Sequence, residues 1–422
     1  MAQRVYPLLL LVLILASYFH MQAIVLAIAL FIIAMPMQWH FTAIKMARLF
    51  AVLLLPSVLG LIAGYKNDNY LIIKDFYYFL MPVLFIASGI VLACRITIES
   101  FLKTLVVAGT VVTGLVTAIS VSYVGFGALT DPYSAHYAIG IVGTPGPPIA
   151  FACLLLTYKF NIRLYKPMMF NALVAINAFG IYMFASRTYL IITLCFLFLL
   201  VADKMKKVWI LPIIFIIASI FIVLPFNLLQ SDSSNPFVNK ILHSFSEMSI
   251  GEYNTEQDIN TKYRGYESFM ALKGYAEGDV KDWIFGGLGK LIDLKTFVRL
   301  GEDSDFQFIP VLHNGWLYIL VKTGITGVMA YIIVFFTLIA INWKKYADAR
   351  GKPVIRLFAA LTVGCILSLL LTNYIVTAFF NVEMSIIMIT LGYSYLNFHS
   401  LLFKLKEMEK PIEIKVTGFQ AS

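Results

Sequence analysis

His313 lies in Pro310-Val311-Leu312-His313-Asn314-Gly315-Trp316-Leu317, where a long polar stretch gives way to an apolar run. Imidazole is the side chain best suited to taking or giving a proton near neutral pH, so at this boundary it either does that work or caps a helix. On a helix starting there, Trp316, Leu317, Leu320, Gly324 and Gly327 share the His313 face, and the glycines line a shallow groove. Arg187 sits in Ala185-Ser186-Arg187-Thr188-Tyr189, between two apolar runs that leave room only for a tight turn. A guanidinium there either snorkels to headgroups or offers its planar fork to a phosphate. Arg264, in Tyr263-Arg264-Gly265-Tyr266-Glu267, is alone an ordinary solvated charge. Two Arg residues from distant segments on one side of a membrane make an anion site the sharper reading.

Other features are weaker. Lys322 and Glu383 lie inside apolar runs, where charges pair, and an ion pair between them is expected. Gly143-Thr144-Pro145-Gly146-Pro147-Pro148 interrupts an apolar run, which at membrane depth implies a cavity or a protein neighbour. Gly286-Gly287-Leu288-Gly289-Lys290 lacks the Ser or Thr and the spacing of a phosphate-binding loop. His136, His243 and His313 have no metal-ligand spacing, so no metal and no cofactor is expected. Cys94, Cys153, Cys195 and Cys365 all fall in apolar runs without a CxxC pair, which argues against a disulfide framework or thiolate site.

These residues must be positioned by helices in a bilayer. Of 422 residues, 60% are hydrophobic and 13% charged, against roughly 25% charged in soluble domains. Apolar runs recur from residue 5 to residue 403, which excludes a soluble enzyme on a single anchor. At about 20 residues per crossing, the runs give an all-α polytopic protein of about twelve spans. They fall near 5–19, 22–37, 41–64, 75–94, 101–127, 138–158, 168–185, 188–202, 208–226, 315–342, 354–374 and 378–398, the first two being one long helix or two. The regions are therefore helices over 1–226, a large polar loop over 227–312, helices over 313–403 and a tail over 404–422.

One set of short loops carries Arg95, Lys103, Lys159, Arg163, Lys166, Lys204, Lys206, Lys207, Lys344, Lys345, Arg350, Lys352 and Arg356, and the alternate set only Lys66, Lys74 and Arg187. Basic loops stay cytoplasmic, so both termini are expected inside and the 227–312 loop outside. The net charge of +9 is then loop charge, with no nucleic-acid partner implied. In the loop, Val238, Ile241, Leu242, Phe245 and Met248, and then Tyr263, Tyr266, Phe269, Met270 and Leu272, predict two amphipathic helices on the outer membrane face. Trp283 to Gly289 reads as a glycine-rich turn.

The ordered set Ser186-Arg187, Arg264, Phe285-Gly286-Gly287-Leu288-Gly289 and His313-Asn314 with Leu317, Leu320, Gly324 and Gly327 resembles the O-antigen ligase and O-antigen polymerase superfamily of bacterial envelope glycosyltransferases. The likeness runs over roughly residues 168–340 and extends to the plan of many spans with one large outer loop, like membrane glycosyltransferases of the GT-C class. It implies an inner-membrane enzyme with a periplasmic site, metal-independent and inverting. Its donor would be a polyprenyl-diphosphate-linked glycan, and its acceptor a glycan or lipid A core hydroxyl. His313 would then assist deprotonation, Arg187 and Arg264 would hold the diphosphate, and Ser186, Asn314, Lys322 and Glu383 would support them. Membrane lipids and polysaccharide assembly proteins are the implied partners. Lys322 departs from the family, which often carries an acid there, and the 143–148 break lacks an Arg found nearby in many members. His-Asn-Gly-Trp-Leu followed by Lys-Thr-Gly leans towards a polymerase.

A secondary transporter or glycolipid flippase is the rival class, although transporters favour midplane charges and internal repeats, whereas here the ionisable residues collect at the outer face and no repeat is visible. A structural scaffold of a polysaccharide export complex would leave the outer Arg and His residues free to vary.

Overall fold

The computed structural model describes residues 2–35, 41–139, 143–202, 259, 262–298, 306–349 and 351–408. Helices α1 (Ala2–Tyr18) and α2 (Gln22–Ala34) are followed by α3 (Phe41–Ala51) and α4 (Leu55–Ala63), which are joined by a 3-10 turn. Next come α5 (Asn69–Ala93), α6 (Ile98–Val124), α7 (Pro132–Ile139), α8 (Gly146–Lys159), α9 (Pro167–Phe184) and α10 (Arg187–Val201). After the polar loop's α11 (Tyr263–Ala276), α12 (Val280–Phe285), β1 (Ile292–Val298) and β2 (Phe306–Ile309) come α13 (Gly315–Asp348), α14 (Pro353–Ile375) and α15 (Ser385–Met408).

Among the described residues, six helices are long and apolar enough to cross a membrane: Asn69–Ala93, Ile98–Val124, Pro167–Phe184, Gly315–Asp348, Pro353–Ile375 and Val382–Phe403. Shorter apolar helices, Val5–Tyr18, Gln22–Ala34, Ala47–Ala63 and Arg187–Val201, lie in the apolar runs near 5–19, 22–37, 41–64 and 188–202. The span expected at 208–226 and the first amphipathic helix, around 238–248, lie outside the described residues.

The first two apolar runs are two helices. His20 takes φ 54°, Met21 N donates to Ala16 O at 2.9 Å and His20 N donates to Ser17 O at 3.2 Å, the pair of bonds that closes a helix with a left-handed residue. Of the span expected at 138–158, α8 covers Gly146–Lys159, and the prolines of the 143–148 run lie at its start, where their missing N–H costs no helix bond. Asp68 and Thr97 cap α5 and α6 by accepting from Leu71 N and Ser100 N.

Helices α5 and α15 approach closely because each offers a glycine. A Cβ on Gly89 would collide with the Ile389 carbonyl, and one on Gly392 with that of Ile86, so the backbones meet there without side chains between them. Beside this crossing, Phe101 and Tyr393 stack at 3.5 Å between centroids, and the Tyr393 hydroxyl donates to Ile96 O at 3.0 Å.

The bundle has two chemically distinct ends. At one, Lys159 Nζ donates to Leu199 O and Leu200 O, both at 2.9 Å, and the Arg356 guanidinium lies over Phe160 and Tyr346. Lys103 Nζ lies over the Tyr165 ring and Phe160 sets its edge to Tyr346, which joins the start of α6 to the turn after α8 and to the end of α13 there. At the other end, Thr377 N donates to His313 O at 2.9 Å, Thr144 Oγ1 to Glu383 O at 3.3 Å and Ser17 Oγ to Val382 O at 3.2 Å. Turns that alternate along the sequence thus do collect at opposite ends.

The helices carry the fold, as an all-α membrane protein requires, and the polar loop adds one small feature, β1 and β2 in an antiparallel hairpin with Ile292 opposite Ile309 and Asp293 opposite Phe308. Its alternation is short, interrupted by a register shift between Asp293 and Val298, and contains Lys295 at φ 60°, so the strands carry no sustained period-two pattern. The second amphipathic helix is present as α11; Tyr263, Tyr266 and Met270 of its apolar set are buried in the protein, whereas Phe269 and Leu272 are exposed.

Candidate functional site

His313 precedes α13 instead of riding on it. Asn314 is the cap, its Oδ1 accepting from Trp316 N at 3.0 Å and Leu317 N at 3.3 Å, so the imidazole is released from helix geometry. The expected glycine groove beneath His313 is therefore absent. Gly324 instead takes φ 65° at a kink in α13 and receives the Ile284–Phe285 backbone, while Gly327 packs on the Thr323 side chain.

What faces His313 is Glu267, from α11. Its Oε2 lies 2.8 Å from His313 Nδ1, and its Oε1 accepts from the His313 backbone N at 2.8 Å. The Glu267 side chain is 2% exposed and that of His313 48%, so the carboxylate is enclosed and the far edge of the ring is open. A carboxylate accepts and cannot donate, so it selects the tautomer with the proton on Nδ1 and leaves the Nε2 lone pair outward. Such a pair suits general-base chemistry. If Nε2 takes a proton, the imidazolium has its counter-charge in place.

Tyr263, one turn earlier on α11, sets its ring edge-on to the His313 ring at 6.0 Å between centroids. Burial first, and the Glu267 charge second, push the Tyr263 phenol well above its usual range, so it stays neutral beside the pair. The Tyr266 hydroxyl donates to Leu294 O, fixing α11 to β1. In the hairpin, bonds from Lys295 and Gln307 lower the Asp293 carboxyl to about 2.

A buried clasp ties this loop to the helices. Lys322 Nζ lies 2.7 Å from Asp75 Oδ2 and donates to Lys290 O at 2.6 Å. Asp75 Oδ2 also accepts from Gly289 N at 2.6 Å and Oδ1 from the Tyr318 hydroxyl at 2.7 Å. The partners of this buried ion pair thus come from α5, α13 and the 286–290 strap. Leu288 N donates to Gly60 O at 3.0 Å, and Asn67 Nδ2 to Leu288 O at 2.7 Å. Gly286, at φ 64°, lies where a Cβ would strike the Lys322–Gly324 backbone, so the glycine-rich turn is a strap pressed onto α13.

The expected Lys322–Glu383 ion pair is therefore wrong. Lys322 is directed at Asp75 by the strap, and Glu383 sits in a 3-10 turn before α15, where Oε1 lies 3.4 Å from His20 Nε2. Helical depth counted from sequence placed the two side by side because it took no account of the turn at 382–384 or the kink at Gly324.

Ser186 is the N-cap residue of α10 and Arg187 its first residue, following Ala185 at φ 44°. That turn lies by Gly143, whose Cβ would strike Phe184 and the Tyr189 hydroxyl, and the next residue, Thr144, donates its hydroxyl to Glu383 O. Arg264 precedes Glu267 by less than one turn of α11. Arg187, Arg264, His313, Asn314 and Glu383 thus all belong to one end of the bundle, and the 376–384 segment runs from the His313 carbonyl to the Glu383–Thr144 contact.

Glu267 is the functional candidate that sequence reasoning missed. The signal was available: an acid among Tyr263, Tyr266 and Met270, on the face of α11 that should be apolar. Among the described residues, no group of three His, Cys, Asp or Glu side chains could hold a metal ion.

The fold and its apolar helices define a polytopic helical membrane protein with a His–Glu pair at one end. The chain matches no family model and no curated protein.

Proposed function

We propose that the chain is a membrane glycosyltransferase that moves a polyprenyl-diphosphate-linked glycan onto a sugar hydroxyl, acting as a repeat-unit polymerase for a surface polysaccharide. The observation that carries this reading is the double contact of Glu267 with His313, which leaves Nε2 free as a base at a membrane surface. The ordered likeness to the O-antigen polymerase and ligase superfamily supplies the substrate class.

In this mechanism His313 Nε2 takes the proton of the acceptor hydroxyl as its oxygen attacks the anomeric carbon from the face opposite the leaving group. The carbon–oxygen bond to the diphosphate breaks, its electron pair goes to the diphosphate, and configuration inverts. Arg187 and Arg264 hold that diphosphate and stabilise its growing charge. Glu267 balances the imidazolium until the proton is released to water. Ser186 and Asn314 shape the two turns. Lys322 acts only through the strap, and Glu383 through the neighbouring loop. The site faces the periplasm, with both termini in the cytoplasm.

The test is transfer by purified protein from polyprenyl-diphosphate glycan to an oligosaccharide acceptor. Wild type extends the acceptor, and His313→Ala, at equal abundance, does not. Transport of intact glycolipid across vesicles without any new glycosidic bond would overturn the reading in favour of a flippase.

A further inference from the structure

At the basic end, away from His313, a cleft of about 530 Å³ opens on the flank of the bundle between α1 and α6. Its lining changes character along α6, from Glu99, Lys103 and Thr104 in the first two turns to Val107 one turn deeper, facing Leu8 and Leu11 of α1. Leu8 and Val107 are 60% and 44% exposed, apolar surface suited to hydrocarbon. A hollow that is ionic at the bundle's end and apolar towards its middle has the polarity of a lipid: head at the interface, chain in the core.

The ionic part carries both signs. Lys103 Nζ and Glu99 Oε1 are 2.5 Å apart, one turn from each other, with side chains 41% and 66% exposed. That contact uses one ammonium proton and one carboxylate oxygen, and leaves two protons and an oxygen for a ligand. Lys103 also lies 5.9 Å over the Tyr165 ring, which holds the ammonium at the rim between α6 and the 159–167 turn.

We propose that this cleft binds a zwitterionic phospholipid with a primary-ammonium headgroup, of phosphatidylethanolamine chemistry. The phosphate bonds Lys103, the ammonium bonds Glu99, and one acyl chain lies along Leu8, Leu11 and Val107. A purely anionic head sets its charge beside Glu99 without compensation, and a choline head has no N–H to donate. Because it bridges α1 and α6, the lipid fixes the first helical hairpin against the rest of the bundle. This site is independent of the glycosyltransferase reading.

The experiment uses delipidated full-length protein in detergent, mixed with equal amounts of dioleoyl phosphatidylethanolamine, phosphatidylcholine and phosphatidylglycerol, with retained lipid identified by native mass spectrometry. Wild type retains phosphatidylethanolamine over each of the others by about tenfold, the factor that one lost charge-assisted contact carries. Glu99→Gln loses the preference over phosphatidylcholine, and Lys103→Gln loses retention. Leu8→Trp, which fills the cleft from an exposed position, loses retention while its lipid-free unfolding temperature stays that of wild type. Equal retention of the three lipids by wild type, a preference for phosphatidylglycerol, or unchanged retention by Glu99→Gln and Lys103→Gln would each overturn the proposal.

Discussion

Glu267 grips His313 at two points, the ring Nδ1 and the backbone N, each at 2.8 Å. The first bond sets the tautomer and the second sets the position of the residue that carries the ring. Glu267→Gln should separate them. The amide oxygen can still accept from one N–H, but the charge that selects the tautomer and balances an imidazolium is gone. Transfer is expected to fall roughly 10²–10⁴-fold, the usual worth of a positioned general base, with little change in abundance. The check is single-turnover transfer across pH; a wild-type rate in this variant would reduce Glu267 to a structural tie.

Arg187 and Arg264 enter the same end of the bundle from α10 and α11. If both hold the donor diphosphate, Arg→Lys at either position keeps the charge but loses the fork, and transfer should drop by about 10² or more. The measurement is kcat and donor KM for each variant. Normal values for Arg187→Lys with loss only for Arg264→Lys would remove Arg187 from the site.

The clasp makes a stability prediction. Lys322→Met leaves Asp75 buried without its cation and should cost roughly 3–5 kcal/mol, while the double variant Asp75→Leu with Lys322→Met should recover a good part of that. Thermal unfolding in detergent reads the difference. Equal losses in single and double variants would mean that the strap, not the ion pair, carries the stability.

Much of this could be read from residue order, and the failures are physical. Apolar runs locate the helices because a bilayer core demands them, and alternation of Lys and Arg sorts the turns into two ends. The Lys322–Asp75 pair and the Glu267–His313 pair were not legible, because each joins segments far apart in sequence, and periodicity constrains neighbours only along one helix. Glu267 was hidden by counting α11 as a membrane-surface helix, on which an acid is unremarkable. Lys322 was misassigned because depth along α13 says nothing of which way the chain turns at Gly324.

In the β hairpin, the Asp293 carboxyl falls to about 2 because Lys295 and Gln307 bond its charged form. A depressed folded value means that this contribution is full above the unfolded carboxyl's titration near 4 and is lost as pH falls towards about 2. Amide protection over residues 292–298 and 306–309, corrected for the pH dependence of intrinsic exchange, should therefore be flat from neutral to about pH 4 and fall below it. In Asp293→Asn that acid limb should vanish, and its persistence would place the pH dependence elsewhere.

Polymerase and ligase differ in the acceptor that meets His313, so the deletion strain distinguishes them without purified protein. A polymerase joins two polyprenyl-linked glycans. Without it, single repeats remain and are either capped onto lipid A or held on the carrier. A ligase transfers finished polymer to lipid A core. Without it, long polymer accumulates on the polyprenyl carrier while lipid A stays bare. The polymerase reading expects short products only, and restoration of long chains by wild-type protein but not by His313→Ala. Carrier-linked long polymer in the deletion strain assigns the same His313–Glu267 chemistry to a ligase, and unchanged glycans on both lipids remove the chain from glycan transfer altogether.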